Sequence, residues 1–412
     1  PHQKHARMIF KVAWRNIWRS KTRSLIVLSS IAIGVWAGLL IIGFSFGMNN
    51  ERTASAIRST LGHAQIHHAD FLVEPKATAV ITPEQLEGIR AALESEPRVT
   101  GWTDRAVLQG MIAAPKTNRA ARILAIDPES ERARTNLEEM MVEGTFFDES
   151  MRNPVVIGKK LADKLGVGMK KKIVLTFQDA SGNLSRASFR VGGIYQSLNA
   201  QWDEFNVYIT QKDLRKTTGL DMIHEVVVYY EETVATEEIT DALVEIMPVE
   251  AKVLSWKDNS PELGFADDMM GIMLILVLGI IMTALLFGII NNMLMAILER
   301  RRELGMLMAI GMNKRKLFLM ILLETLLLGI VGGPVGMLLG DVTIRIMMNI
   351  GVDLSSKKEG LAELGVQSII YPEVVPEYYI IMALMVIGTA LLASIIPAYR
   401  ALKLNPVEAI RS

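Results

Sequence analysis

The sequence predicts a membrane protein of four transmembrane α-helices, with a large α+β extracytoplasmic domain inserted between spans one and two. Three observations carry this. Half of the 412 residues are hydrophobic and the mean hydropathy is positive, a composition of multi-part membrane proteins. Four segments, Leu25–Met48, Met269–Leu298, Leu317–Gly340 and Tyr378–Ile396, reach the roughly 20 apolar residues that a span requires, and none holds a Lys or Arg. Between the first two, over residues 49–268, the apolar runs give way to short periodic segments separated by turn residues.

Basic residues near the spans orient the chain. Residues 1–24 hold seven Lys/Arg and no acid, 299–316 hold six against two acids, and 397–412 hold three against one. The 341–377 loop reverses the balance, with three basic and six acidic residues, and 49–268 carries 25 against 34. The positive-inside rule therefore places both termini and the 299–316 loop in the cytoplasm, with 49–268 and 341–377 outside. The first apolar run exceeds a signal-peptide core, and Phe44–Met48 is a poor cleavage site, so an uncleaved anchor is expected. A start at Pro1 rather than Met suggests that the native product is longer. Zero cysteines exclude disulfides and thiolate metal sites.

In order, residues 1–24 read as a cytoplasmic amphipathic helix. Arg7, Lys11, Arg15, Arg19 and Arg23 recur every four residues, while Phe10, Trp14, Ile17 and Trp18 share another side, a pattern suited to membrane lipid with anionic headgroups. Span one, 25–48, carries Gly34 and Gly38 as a G-x-x-x-G pair, a dimer-packing candidate. In 49–268, Thr82–Gln85 is a capping box that starts a helix expected to stop near Pro97. Strands are expected at 105–113, 120–126, 154–158, 172–178, 186–194, 224–230 and 251–255, with helices at 159–165 and 235–247. A membrane-proximal lobe of 49–127 and 222–268 is expected, with 128–221 inserted as a second lobe. Span two, 269–298, is long enough for its outer end, after Asp267 and Asp268, to project as a stalk. Span three, 317–340, contains Glu324, then Gly329, Gly332, Gly333, Gly336 and Gly340, and is expected to be broken by Pro334. Glu324 is an intramembrane carboxylate, read as a structural partner that is hydrogen-bonded or protonated rather than as a relay. Span four, 378–396, ends at Pro397, and 397–412 is a cytoplasmic tail.

Chemistry is sparse. His63, His67, His68 and Asp70 could converge on a metal, but on a strand His67 and His68 point to opposite faces, so no metal site is assigned. No phosphate loop, nucleophile elbow or H-E-x-x-H occurs, so no catalytic or cofactor-binding residues are assigned and no ATP hydrolysis by this chain alone is expected. What survives is residues 299–316. Leu304, Leu307, Met308 and Ile310 supply apolar surface for one or two helical turns between charged ends, with Gly305 and Gly311 as permissive breaks.

Glu299-Arg300, Glu303-Leu304-Gly305, Ala309 and Gly311 resemble the E-R-x-x-E-[IL]-G-x-x-x-A-x-G element that ends the second span of FtsX-like permeases of type VII ABC transporters. Pro397–Ala401 with Leu404–Arg411 is similar to that family's closing signature. Glu143–Phe146, Val155–Gly158, Leu161–Leu165 and Val191–Ile194 resemble the MacB-type periplasmic core domain, and Gly62–His67 with Asp203–Ile209 lean towards lipoprotein-releasing (Lol-type) permeases.

The resemblance implies a bacterial inner-membrane permease subunit that is not itself an enzyme. ATP and Mg would be bound by a cytoplasmic ABC ATPase dimer. A second permease, the same chain or a homologue, would complete the complex, and 299–316 would receive the ATPase's push as a coupling helix. The load would be a lipoprotein or other amphiphile on the outer side, with drug or peptide efflux, or control of a cell-wall hydrolase, as the alternatives. No nucleic-acid partner is implied.

Overall fold

The computed structural model describes residues 12–19, 21–72, 77–115, 117–148, 150–197, 199–231, 236–248, 250–357, 360 and 369–403. These divide into a helical unit, from 1–48, 269–353 and 369–412, and a sheet unit, from 49–268 and 354–368. Arg7, Phe10 and Lys11 of the amphipathic pattern and Leu404–Arg411 of the closing signature lie outside the described residues.

Helices α1 (12–19) and α2 (Lys21–Ala56) lead into a π-helical turn, Ile57–Leu61. The sheet unit follows with β1 (Ala64–His68), α3 (Pro83–Ser95), β2 (Val99–Ala113), β3 (Asn118–Ile126), α4 (Pro128–Arg134), β4 (Met141–Gly144), β5 (Pro154–Gly158) and α5 (Lys159–Leu165). It continues with β6 (Lys172–Gln178), β7 (Leu184–Tyr195), α6 (Ala200–Phe205), β8 (Asn206–Thr210), α7 (Gln211–Thr218), β9 (Glu225–Tyr230), α8 (Thr236–Ile246), β10 (Ala251–Ser255) and α9 (Trp256–Asn259). Then come α10 (Pro261–Glu299), α11 (Arg301–Ala309), α12 (Lys314–Ile350), a short β11–β12 pair (Val352–Asp353 with Ile369–Ile370) and α13 (Pro376–Leu402).

Local chemistry sets these boundaries. At α3, Gln85 N–H donates to Thr82 Oγ1 (3.2 Å) and Thr82 N–H to Gln85 Oε1 (2.9 Å), closing the capping box. The β6–β7 hairpin turns on Asp179, whose Oδ1 accepts from the N–H groups of Ser181 and Asn183. The strands form one ten-stranded sheet in the order β10-β1-β9-β2-β3-β8-β5-β7-β4, with β6 bridging β2 and β7. β2 spans 15 residues: its first half pairs with β9 and its second half with β6, while β3 follows it from Arg105 to Ala113.

That long strand is shared between the two expected lobes. The apolar core around β5 and β7 draws Ala106, Leu108, Ile112, Ile123 and Ala125 from β2 and β3. β8 pairs in parallel with β3. The segment 128–221 therefore completes a sheet that β2 and β3 begin, while a second core, with Ile66, Leu86, Ile89, Val226, Val228 and Leu243, is drawn entirely from 49–127 and 222–268. Arg105, near the middle of β2, is 1% exposed. It pairs with Glu131 through Nε (2.5 Å) and Nη2 (3.0 Å) and donates from Nη1 to Thr60 O of the π-helical turn (2.6 Å). Burial alone would lower this guanidinium's pKa; the Glu131 carboxylate outweighs that and holds it above its ordinary value.

Four helices, residues 24–61 together with α10, α12 and α13, are long and apolar enough to cross a membrane. All outrun their apolar runs. α10 is about 58 Å long at about 1.5 Å per residue, and it starts at Pro261, so Asp267 and Asp268 lie within it and pair with Lys257 of α9. Two expected breaks are absent. α12 runs through Pro334 and α13 through Pro397. Each proline removes one backbone donor, and close packing on both sides keeps the helix continuous.

α12 occupies the middle of the helical unit because its glycines form two faces. A Cβ added at Gly332, Gly336 or Gly340 would lie 2.6–3.1 Å from Ile31, Ala32 or Leu39 of α2. At Gly329 or Gly333 it would lie 3.0–3.3 Å from Ala390 or Val386 of α13. Small residues four apart let backbones approach and gain dispersion contacts where lipid offers no hydrophobic drive. Gly34 and Gly38 serve the same purpose within the chain. Their added Cβ atoms would meet Leu285 of α10 at 2.6 Å and Met382 of α13 at 2.9 Å, so the chain's own helices pack against these positions. Interhelical hydrogen bonds add register: Trp36 Nε1–H donates to Thr343 Oγ1 (3.1 Å) and Tyr379 O–H to Asp341 Oδ1 (2.9 Å).

Gly336→Leu is expected to remove at least the roughly 1–3 kcal/mol typical of overpacking, because its Cβ would strike the Ala32 carbonyl oxygen at 2.6 Å. Gly288→Ala, with nothing within 4 Å, is expected to be neutral. Thermal unfolding in detergent, followed by size-exclusion fluorescence, measures the contrast.

Candidate functional site

α10 ends where the apolar run meets Glu299 and Arg300. Arg300 leaves helical geometry (φ −101°, ψ 14°) and α11 restarts at Arg301. α11 stops at Ala309, and Gly311 then takes φ +96°, a conformation open to glycine at little cost. Asn313 caps the following helix, its side chain accepting from Arg315 N–H (3.2 Å). The result is a nine-residue helix held between the ends of two long ones.

Charge fixes this helix in place. Arg300 Nη1 donates to Glu324 Oε1 at 3.1 Å and Arg300 Nε to Glu303 Oε2 at 3.4 Å. Glu303 in turn pairs with Arg19 of α1, at 2.7 Å from Nη2 to Oε1. One run of alternating charge, Glu324–Arg300–Glu303–Arg19, thereby joins α12, the end of α10, α11 and α1. Its inner members are the more enclosed, with the Arg300 and Glu324 side chains 19% and 13% exposed. A carboxylate in an apolar helix is costly unless paired, so Arg300 is the reason Glu324 is tolerated. Apolar packing completes the seat: Leu304 is 3% exposed and Gly305 is buried, and Leu307, Met308 and Met312 pack against the same core.

The expected residues thus separate into two groups. Arg300, Glu303, Leu304, Gly305 and Glu324 converge on the inner side. Ala309 and Gly311 are exposed at the far end of α11, and Glu299 lies on the surface at the end of α10. Gly305 is not the break expected of it: it lies mid-helix, and only Gly311 terminates. The outward side of α11 carries Arg302, Met306 and Ile310, the last 86% exposed. Arg302 and Met306 escaped the sequence reading, and Ile310, expected to share apolar surface with Leu304, Leu307 and Met308, lies instead on the outward side, where the spacing of four residues, out of phase with Leu304 and Met308, marks an opposite face. Arg19 was legible only as one of a row of bases.

α1 lies against the helical unit through Ala13 and Ile17, leaving Trp14 and Trp18 exposed and in edge contact with each other at 6.0 Å. At the other end of α12's partner, Ala398 and Ala401 of the closing motif are buried, while Tyr399 is exposed beneath Lys403 Nζ at 4.8 Å. The histidines of 63–68 are used separately. His63 stacks on Tyr230 and accepts its N–H, and buried His67 stacks on Phe71, with burial lowering its pKa.

Residues 24–246 match the MacB-like periplasmic core domain and 275–406 match the FtsX-like permease C-terminal family. The chain belongs to the MacB-type, FtsX-like permeases. An ABC transporter permease of Methanocaldococcus jannaschii is 24% identical over 98% of this chain and 97% of its own. The pyoverdine export ATP-binding/permease protein PvdT of Pseudomonas fluorescens is 25% identical over 98% of this chain, which spans 59% of that protein. The lipoprotein-releasing system transmembrane protein LolC of Xylella fastidiosa is 20% identical over 90% of this chain and 92% of its own. Members of this family are permease components of ABC transporters and work with ATPase partners. Four apolar helices and a periplasmic-type domain make this chain a multi-pass membrane protein.

If Arg300 and Glu324 hold α11 as a pair, Arg300→Met and Glu324→Leu are each expected to lower thermal stability. The double variant is expected to recover part of the loss, with a coupling of about 1–3 kcal/mol. Unfolding of the four proteins in one detergent gives the cycle.

Proposed function

We propose that this chain is the permease subunit of a mechanotransmitting ABC transporter whose separate cytoplasmic ATPase dimer binds and hydrolyses Mg-ATP. The observation that carries the reading is α11: seated on Leu304 and Gly305, tied through Glu303 and Arg300, and presenting Arg302, Met306 and Ile310 outward. A short helix fixed to the ends of two spans is suited to turn a push into a displacement of those spans. The basic charge around it orients that end to the cytoplasm, and with it both termini of a bacterial inner-membrane protein.

The two permeases, this chain with a copy or a homologue, would then move their outer domains. The cargo we favour is a lipoprotein or related amphiphile taken from the outer leaflet, on the likeness to a lipoprotein-releasing permease over nearly its whole length.

Reconstituted with its ATPase, the wild-type complex is expected to show cargo-stimulated ATP hydrolysis. Gly305→Trp, which overfills a buried position, and Glu303→Arg, which sets like charge against Arg300 and Arg19, are each expected to reduce transport at least tenfold while the ATPase still turns over. Normal coupled transport by both variants refutes the coupling assignment. Stimulation by a macrolide or a siderophore but not by lipoprotein overturns the cargo and leaves the coupling intact.

A further inference from the structure

Along α10, Met273, Leu276, Ile280, Phe287, Met295 and Leu298 recur at helical spacing and are 57–71% exposed, which makes one continuous outward stripe. Ala284 and Asn291 continue the same spacing and are exposed as well. Lipid tails satisfy the apolar members of such a stripe. They do nothing for an asparagine.

Asn291 precedes Glu299 by eight residues, so at about 1.5 Å per residue it lies about 12 Å inside the charged end of α10. In a hydrocarbon layer roughly 30 Å thick, that is close to the midplane. Several other polar side chains of the spans are engaged. Thr283, Thr325 and Ser394 donate to carbonyls of their own helices, while Trp36 bonds to Thr343 and Glu324 to Arg300 across to a neighbouring element. Asn291 has no hydrogen-bond partner among the described residues. The bilayer core holds no water to take its two donors and its carbonyl, so the amide is costly until another polar group reaches it.

Its chemistry selects that group. A carboxamide both donates and accepts, so it pairs with its own image across a twofold axis, each Nδ2–H donating to the other's Oδ1. A second copy of the chain supplies that image at the same depth, on a stripe of the same shape. Hydrogen bonds of this kind join helices where lipid gives no hydrophobic drive.

We propose that two copies of this chain pair through the exposed stripe of α10, with their Asn291 amides bonded to each other inside the membrane. The inference rests on the reading that two permeases form the complex, and it names the face and makes the partner the same chain.

The test uses the full chain in proteoliposomes, without ATPase. Energy transfer between donor- and acceptor-labelled chains, followed as lipid is added, measures the pairing. Asn291→Leu is expected to weaken it about three- to thirtyfold, and Asn291→Gln, which keeps the amide, is expected to retain most of it. Leucine is at home in lipid, so the first variant leaves the fold intact. The chain has no cysteine, so Ala284→Cys, two turns along the stripe, and Leu384→Cys, 65% exposed on α13, can be compared with a short thiol-to-thiol crosslinker. A dimer adduct is expected from Ala284→Cys and not from Leu384→Cys. Absence of self-association, a dimer unweakened by Asn291→Leu, or an adduct at Leu384→Cys in place of Ala284→Cys overturns the proposal. An ATPase that docks on α11 of a chain that does not self-associate would overturn this pairing and leave the transporter reading standing.

Discussion

A carboxyl inside an apolar helix is costly without a polar partner, and Glu324 Oε1 accepts a hydrogen bond from Arg300 Nη1 at 3.1 Å. Much of the local architecture follows from meeting that need. Arg300 must stay close to α12, so α10 cannot continue straight, and the chain turns into α11 at that residue. The same guanidinium reaches Glu303, and Glu303 reaches Arg19, so α1 is fastened by the same arrangement. One intramembrane acid therefore organises the junction of four elements.

The junction transmits anything only if the helices behind it are closely packed. α12 meets that requirement with two glycine faces, Gly332-Gly336-Gly340 against α2 and Gly329-Gly333 against α13. In the sheet unit a comparable part is taken by Arg105, which binds Glu131 and the Thr60 carbonyl where α2's continuation ends. Both are arrangements in which removing one partner leaves buried polar or empty space, which makes them stiff.

Elements governed by local chemistry were legible in the sequence. Thr82–Gln85 announced its helix through capping, Pro154–Gly158 and Lys172–Gln178 announced strands through β-branched runs, and Asp179–Asn183 announced the hairpin turn. Elements that depend on distant partners were not. β8 is a five-residue strand whose place is fixed by β3 and β5, and the sharing of β2 between the two expected lobes follows from its pairing with both β9 and β6. Helix ends were misjudged for another reason: hydropathy ends at Met48, but Asn49–Ala56 contain no Gly or Pro to stop the helix, so α2 continues. Pro334 and Pro397 misled because their cost is local while the packing that outweighs it is tertiary. At the candidate site the charged motif was readable, whereas the division into a seated face and a free face needed coordinates, and Gly34 and Gly38 carry no sign in sequence of which helix they meet.

The central claim is that the outward side of α11 receives the ATPase. The chain contains no cysteine, so single cysteines can be placed without background. Ile310→Cys, on the most exposed residue of that side, and Leu184→Cys, 78% exposed in the sheet unit, can be labelled with a short thiol-to-amine crosslinker in the co-purified complex. The account predicts an ATPase adduct from Ile310→Cys and none from Leu184→Cys. An ATPase that co-purifies yet forms no adduct at Ile310→Cys, or crosslinks at Leu184→Cys instead, would contradict it.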